Sequence, residues 1–240
     1  MPNATSSKLA VLFDADNAQA SVVKELMAEV AKYGKATVKR AYGDWTTPNL
    51  AGWKDVLHDL AIQPIQQFRF TAGKNATDSA LIIDAMDILH SGAVDGFCLV
   101  SSDSDFTRLA RRIGEAGLSV YGFGEKKTPK AFVAACDKFI YTEILRPQAA
   151  DALQAVPIPA DTLKPALVAE IEAVAREDRW AALSGVGSYL NETSPSFDPR
   201  NYGFKKLGEL VPGQAYLDVK SVPAADGSPI SHIFVRMKEG

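Results

Sequence analysis

Five aspartates stand where apolar runs of this sequence end or begin, and their type and spacing suit an oxygen-only metal site. Asp14 and Asp16 close the run Leu-Ala-Val-Leu-Phe-Asp-Ala-Asp-Asn (9–17). Asp103 and Asp105 follow Gly-Phe-Cys-Leu-Val-Ser-Ser (96–102), and Asp78 opens the amphipathic stretch 77–92. Carboxylates brought together without compensation repel one another, and some must then take up protons. A hard divalent cation such as Mg²⁺ or Mn²⁺ relieves that repulsion, because it prefers oxygen ligands and keeps several waters. One such ion activates water and stabilises charge on a phosphodiester; two can clamp the attacking and leaving oxygens. Each acid also has a structural use. Asp16 or Asn17 can cap the first helix, Asp103 or Ser104 can cap the fourth, and Asp78 can complement a helix dipole. Asp84 and Asp87, deeper in their helix, read as solvated or as supporting groups. Only the joint placement of the acids argues for chemistry.

That placement depends on the elements between them. Strand-like and helix-like segments alternate from residue 8 to about 145. Strands are expected at 9–15, 36–44, 62–70, 96–102 and 118–124, with a short extended piece at 140–141. Helices with apolar residues at three- and four-residue spacing are expected at 21–34, 49–61, 77–92, 105–117 and 129–139. Repeated strand–helix units of this length predict an α/β fold, a Rossmann-like parallel sheet with helices on both faces. In such sheets ligands bind outside the carboxyl ends of the strands. Asp14, Asp78, Asp103 and Asp105 are thereby predicted to share one rim.

Residues 147–160 are rich in Ala and Pro and read as a linker, dividing the chain into a first domain at 1–146 and a second at 161–240. Helices at 163–177, 183–193 and 201–212 and strands at 215–222 and 230–238 predict a small winged-helix domain. Of the 240 residues 47% are hydrophobic and 23% charged, an ordinary globular composition. No run of eighteen apolar residues suggests a membrane span. The start of the chain lacks a basic segment followed by an apolar one, so no secretory signal and a cytoplasmic location are expected. Cys98 and Cys136 have no partners at metal-ligand spacing and read as buried thiols. His58, His90 and His232 offer no nucleophilic triad. The net charge of −3 does not mark a nucleic-acid binder. Local basic clusters exist at Arg108/Arg111/Arg112, Lys126/Lys127/Lys130 and Lys205/Lys206.

The three acidic stretches, Phe-Asp-Ala-Asp-Asn, Gly-Lys-Asn-Ala-Thr-Asp-Ser-Ala-Leu-Ile-Ile-Asp-Ala-Met-Asp and Ser-Ser-Asp-Ser-Asp-Phe, resemble the motif series of the NYN family of PIN-like nucleases across roughly residues 8–145. The resemblance implies a metal-dependent endoribonuclease with a PIN-like fold. It implies that Asp14, Asp78, Asp103 and Asp105 hold Mg²⁺ or Mn²⁺, with Asn17 as a polar aide and Asp16, Ser101 and Asp84 in support. Ser102 departs from the pattern, standing where the family usually has Gly. The stretch 179–211, above all Phe-Asp-Pro-Arg-Asn-Tyr-Gly (197–203), is similar to the LOTUS or OST-HTH domain, which implies RNA binding or a protein partner. Single-stranded RNA is the expected ligand. Its contacts are expected at Lys74, Arg108, Arg200, Lys205 and Lys206, while Trp180, Leu190, Phe197, Tyr202 and Leu207 are expected in the core. Two other readings compete. A haloacid-dehalogenase-like phosphatase would use Asp14 as nucleophile and Asp16 as acid, but it expects Thr or Val where Ala18 stands. A catalytically silent RNA-binding or regulatory protein would keep the fold without turnover.

Overall fold

The computed structural model describes residues 6–68, 76–146, 160–223 and 231–238. The chain divides into two compact units, Met1–Gln148 and Ala149–Gly240. Among the described residues no helix is long and apolar enough to cross a membrane.

The first unit is built on β1 (Lys8–Asp14), β2 (Lys35–Gly43), β3 (Gln63–Gln66), β4 (Gly96–Val100), β5 (Ser119–Gly124) and β6 (Lys138–Tyr141). These form one parallel sheet in the order β3-β2-β1-β4-β5-β6. β1 lies at its centre and is buried from Leu9 to Asp14, as a strand covered on both faces must be. One face packs α3 (Ala76–Ser91), α4 (Thr107–Glu115) and α5 (Lys130–Ala134) over Leu12, Phe97 and Phe139. The other packs α1 (Val23–Val30) and α2 (Trp53–Asp59) over Val11, Phe13 and Val100. In α4, Leu109, Ala110 and Ile113 are buried while Arg108, Arg111 and Arg112 face solvent, the 3.6-residue period that fixes the helix on the sheet. The order reverses between β1 and β4, which opens a crevice at their carboxyl ends.

The second unit packs α6 (Ala160–Val174), α7 (Leu183–Thr193) and α8 (Leu207–Leu210) with a three-stranded antiparallel sheet, in the order β7-β9-β8. Its strands are β7 (Ala181–Ala182), β8 (Leu217–Pro223) and β9 (Ser231–Met237). The core holds Leu167, Val186, Leu190, Phe197, Leu210 and Val235.

Several sequence expectations need correction. The single helix expected at 201–212 is a 3₁₀ turn at Pro199–Tyr202, then α8, then another 3₁₀ turn at Val211–Gly213. Gly203 interrupts it at φ +83°, the left-handed conformation that ends helices. The strand expected at 62–70 covers only Gln63–Gln66, at the sheet edge where Pro64 is tolerated; Arg69 and Phe70 lie outside the described residues, as does most of the expected linker, at 147–159. β7 is a strand the sequence did not announce.

Candidate metal centre

Asp14 is the last residue of β1 and has no exposed surface. Its Oδ2 accepts hydrogen bonds from Ser101 Oγ and Asn17 Nδ2, both at 2.7 Å. Its Oδ1 is equally buried and accepts none from the described residues. Burial pushes the Asp14 carboxyl above the usual range, the Ser101 and Asn17 hydrogen bonds oppose this, and Asp16 adds to it. Asn17 and Ala18 both donate their amides to the Asp14 carbonyl, so the chain turns sharply off the strand before any helix begins.

Ser101 links Asp14 to the second acidic segment, because its Oγ also accepts from the Asp103 amide at 3.1 Å. Asp103 Oδ1 accepts from the Asp105 amide at 2.9 Å and caps the 3₁₀ turn Ser104–Phe106, whose buried Phe106 anchors it. The capping use and a site use of Asp103 therefore coexist. Ser102 Oγ accepts from the Glu125 amide at 2.9 Å, so this side chain ties the loop after β4 to the end of β5. Gly124 lets the two approach: a Cβ there would lie 2.5 Å from the Ser101 carbonyl oxygen.

The third segment arrives with the first turn of α3, where Asp78 is half-buried beside the fully packed Thr77. Asp78, Asp103 and Asp105 each offer a carboxylate oxygen, and these oxygens lie within 4.8 Å of one another. Oxygens on opposite sides of an octahedral Mg²⁺ stand about 4.2 Å apart, so the trio's spread is close to what one such ion spans. Burial pushes Asp78 up to about 6, reinforced by the charges of Asp14, Asp103, Asp105 and Asp16. Asp14 lies outside the tight trio but close enough for its charge to act on Asp78. A donor set made only of carboxylate oxygens, backed by a buried oxygen without a hydrogen, fits a hard cation and does not fit a soft one.

The other sequence candidates sit in different places. Asp16, half-buried, lines a cleft of about 350 Å³ with Gln19, Thr47 and Asn49. It caps no helix: the first 3₁₀ turn starts at Ala20, behind Gln19. Asp84 accepts from Arg40 Nη1 at 3.0 Å and Tyr42 Oη at 2.9 Å, which makes it a strut between α3 and β2. Arg108 is exposed one turn beyond Asp105, and Lys74 lies outside the described residues. In the second unit Arg200 is held by Asp198, with Nε–Oδ1 at 3.0 Å and Nη2–Oδ2 at 2.6 Å, while Lys205 and Lys206 are exposed. Leu190 and Phe197 are in the core as expected. Trp180 lies outside that core: it is partly buried, with Lys220 and Arg236 over its ring. Arg40 and Tyr42 carry no sequence signal for this role: Tyr42 is buried between the buried Ala41 and Gly43, and Arg40 is partly buried.

A parallel sheet with an acidic, oxygen-only rim at its switch point defines a PIN-like α/β protein. The chain belongs to the NYN domain family, which it matches over residues 8–145, more than half its length. Residues 159–227 match the OST-HTH/LOTUS domain. No curated protein matches the chain. Among solved structures, a protein of unknown function from Vibrio parahaemolyticus is similar at 22% identity, covering 58% of this chain and 94% of that one, with a TM-score of 0.47. An uncharacterized protein from Nitrosomonas europaea is similar at 31% identity over 32% of this chain and 73% of that one, with a TM-score of 0.29. A segment of a Chromobacterium violaceum protein is similar at 38% identity over 32% of this chain and 82% of that one, with a TM-score of 0.27. An NYN domain joined to an OST-HTH/LOTUS domain supports a ribonuclease and RNA-binding role.

Proposed function

We propose that this protein is a metal-dependent endoribonuclease acting on single-stranded RNA, with residues 1–146 as the nuclease, 147–160 as a linker and 161–240 as an RNA-holding module. The observation that carries the reading is the convergence of Asp78, Asp103 and Asp105 to within 4.8 Å beside the buried Asp14. These four would hold Mg²⁺ or Mn²⁺, which supplies positive charge to the phosphodiester and an activated water. Ser101 and Asn17 orient Asp14, and Ser101 and the Asp105 amide fix Asp103. Asp78, pushed up to about 6, would give up its proton on binding a cation, because the ligand must be deprotonated. Arg108, exposed one turn beyond Asp105, would neutralise a phosphate oxygen.

The match to the NYN domain over residues 8–145 disfavours the phosphatase reading. Two free, buried thiols, Cys98 and Cys136, suit a reducing compartment such as the cytoplasm. The test is cleavage of an internally labelled single-stranded RNA with Mn²⁺ or Mg²⁺, with excess chelator, and by Asp103→Asn. Internal cuts that need the cation and vanish in the variant are expected. RNA bound but never cut, under any cation, would overturn the enzyme reading and leave a catalytically silent RNA-binding protein.

A further inference from the structure

We propose that the outward face of the C-terminal sheet is a binding face for single-stranded RNA, built from Trp180, Lys220, Phe234 and Arg236. Antiparallel pairing sets Lys220 opposite Phe234 and Asp218 opposite Arg236. Side chains alternate along each strand. Leu217, Val219, Ile233, Val235 and Met237 pack into the core, so Lys220, Phe234 and Arg236 share the opposite face. Trp180, just before β7, joins them, because Ala181 pairs with Val235.

On this face the Lys220 ammonium sits 4.0 Å from the Trp180 ring centroid and 5.6 Å from that of Phe234. The Arg236 guanidinium lies 4.8 Å from the Trp180 centroid. A ring face holds a cation in position without cancelling its charge, unlike a carboxylate. Lys220 is exposed and pairs with no carboxylate among the described residues. Arg236 is steadied by Asp218 at 3.1 Å, with both side chains about one third exposed. Two fixed cations beside large aromatic rings match what a single strand offers, phosphates and bases with open π-faces. A protein partner would want a wider apolar patch than Phe234 and Val222 provide. The OST-HTH match ends at residue 227, before β9, so Phe234 and Arg236 lie beyond the segment that defines the family.

The inference rests on RNA being the ligand of the protein, and the experiment separates the two. Full-length protein in excess chelator is titrated into a fluorescein-labelled twelve-nucleotide oligouridylate, with anisotropy read at several salt concentrations. Lys220→Gln/Arg236→Gln is expected to weaken binding about 10-fold or more and to lower the salt slope by about 1.4, at roughly 0.7 per phosphate contact for a single strand. Phe234→Leu, which keeps apolar bulk and removes the ring, should weaken binding about 5-fold or more with the slope unchanged. Lys24→Gln, at an exposed lysine of α1 with no assigned role, should leave both close to wild type. Should Phe234→Leu fail to fold, the exposed Lys220→Gln alone carries the comparison. Unchanged affinity and slope in Lys220→Gln/Arg236→Gln would overturn this face while leaving RNA as ligand. No binding by the wild-type protein would overturn the RNA reading itself.

Discussion

Asp78→Asn is expected to stabilise the metal-free protein while destroying its response to metal. A carboxyl whose folded-state value stands at about 6, against 3.8 in the unfolded chain, binds its proton more tightly when folded. Stability attached to it is therefore present at low pH and is lost as pH rises through the window from 3.8 to about 6. At neutral pH the ionised Asp78 costs about 3 kcal/mol at full strength, and about half of that after screening by solvent, because the group is only half-buried. Asparagine fills the same space without the charge. The gain of about 1.5 kcal/mol corresponds to roughly 3–6 °C in the midpoint of a unit this size. The assay is calorimetric melting of wild type and Asp78→Asn at pH 7.5, in excess chelator and in millimolar Mn²⁺. In chelator the variant should melt higher. With Mn²⁺ the wild type should rise, by an amount set by RT ln(1 + [L]/Kd), and the variant should move far less. Equal melting in chelator, or an equal rise in both with Mn²⁺, would refute the claim that Asp78 sits in a repelling cluster that a cation relieves.

Asp14→Asn keeps the hydrogen bond to Ser101 and should fold normally, yet cleavage should fall at least about 100-fold, read as initial rate at saturating Mn²⁺; a rate within a factor of three of wild type would remove Asp14 from the site. Asp84→Ala leaves Arg40 and the buried Tyr42 hydroxyl without their acceptor, so stability should drop by about 1–3 kcal/mol in denaturant melts, while Mn²⁺ affinity by calorimetric titration stays unchanged. Gly203→Ala places a Cβ at φ +83° and should cost about 1–2 kcal/mol in the C-terminal unit, seen as an earlier transition in that unit alone. Residues 1–146 expressed alone should cut RNA with a kcat near that of the full chain and a higher KM, since the tethered module adds effective concentration and no reacting group.

The rim was legible because two rules combine: an apolar run that ends in acid is a buried strand with a polar end, and strand–helix alternation makes all such ends point one way. Asp14 and Asp103 follow from that alone. Other features depend on partners that periodicity does not encode. Asp84 stands on the expected helix, but the donors to its carboxylate come from β2, more than forty residues earlier in the chain. Asp16 looked like a cap because acids precede helices, yet the Asp14 carbonyl takes the Asn17 and Ala18 amides first and moves the helix start to Ala20. Trp180 is expected in the core, but the two residues of β7 set it on the other face of the sheet, and so short a strand leaves no pattern to read.

The placement of Asp14 ties the fold to the site more tightly than that of the other three acids. Asp78, Asp103 and Asp105 stand at or near the starts of helical segments, where exposed backbone amides and water can compensate their charge. Asp14 ends the central strand β1, buried from Leu9 onward, and one of its oxygens receives no hydrogen bond from the described residues. A buried carboxylate oxygen without a donor costs folding free energy. Ser101 and Asn17 offset part of that cost through the other oxygen, and the same Ser101 hydroxyl holds the Asp103 amide. The central strand and the acidic loop are thus joined through one hydroxyl. Countercharge at the rim would act on both, so cation binding and the stability of the sheet's centre should rise and fall together.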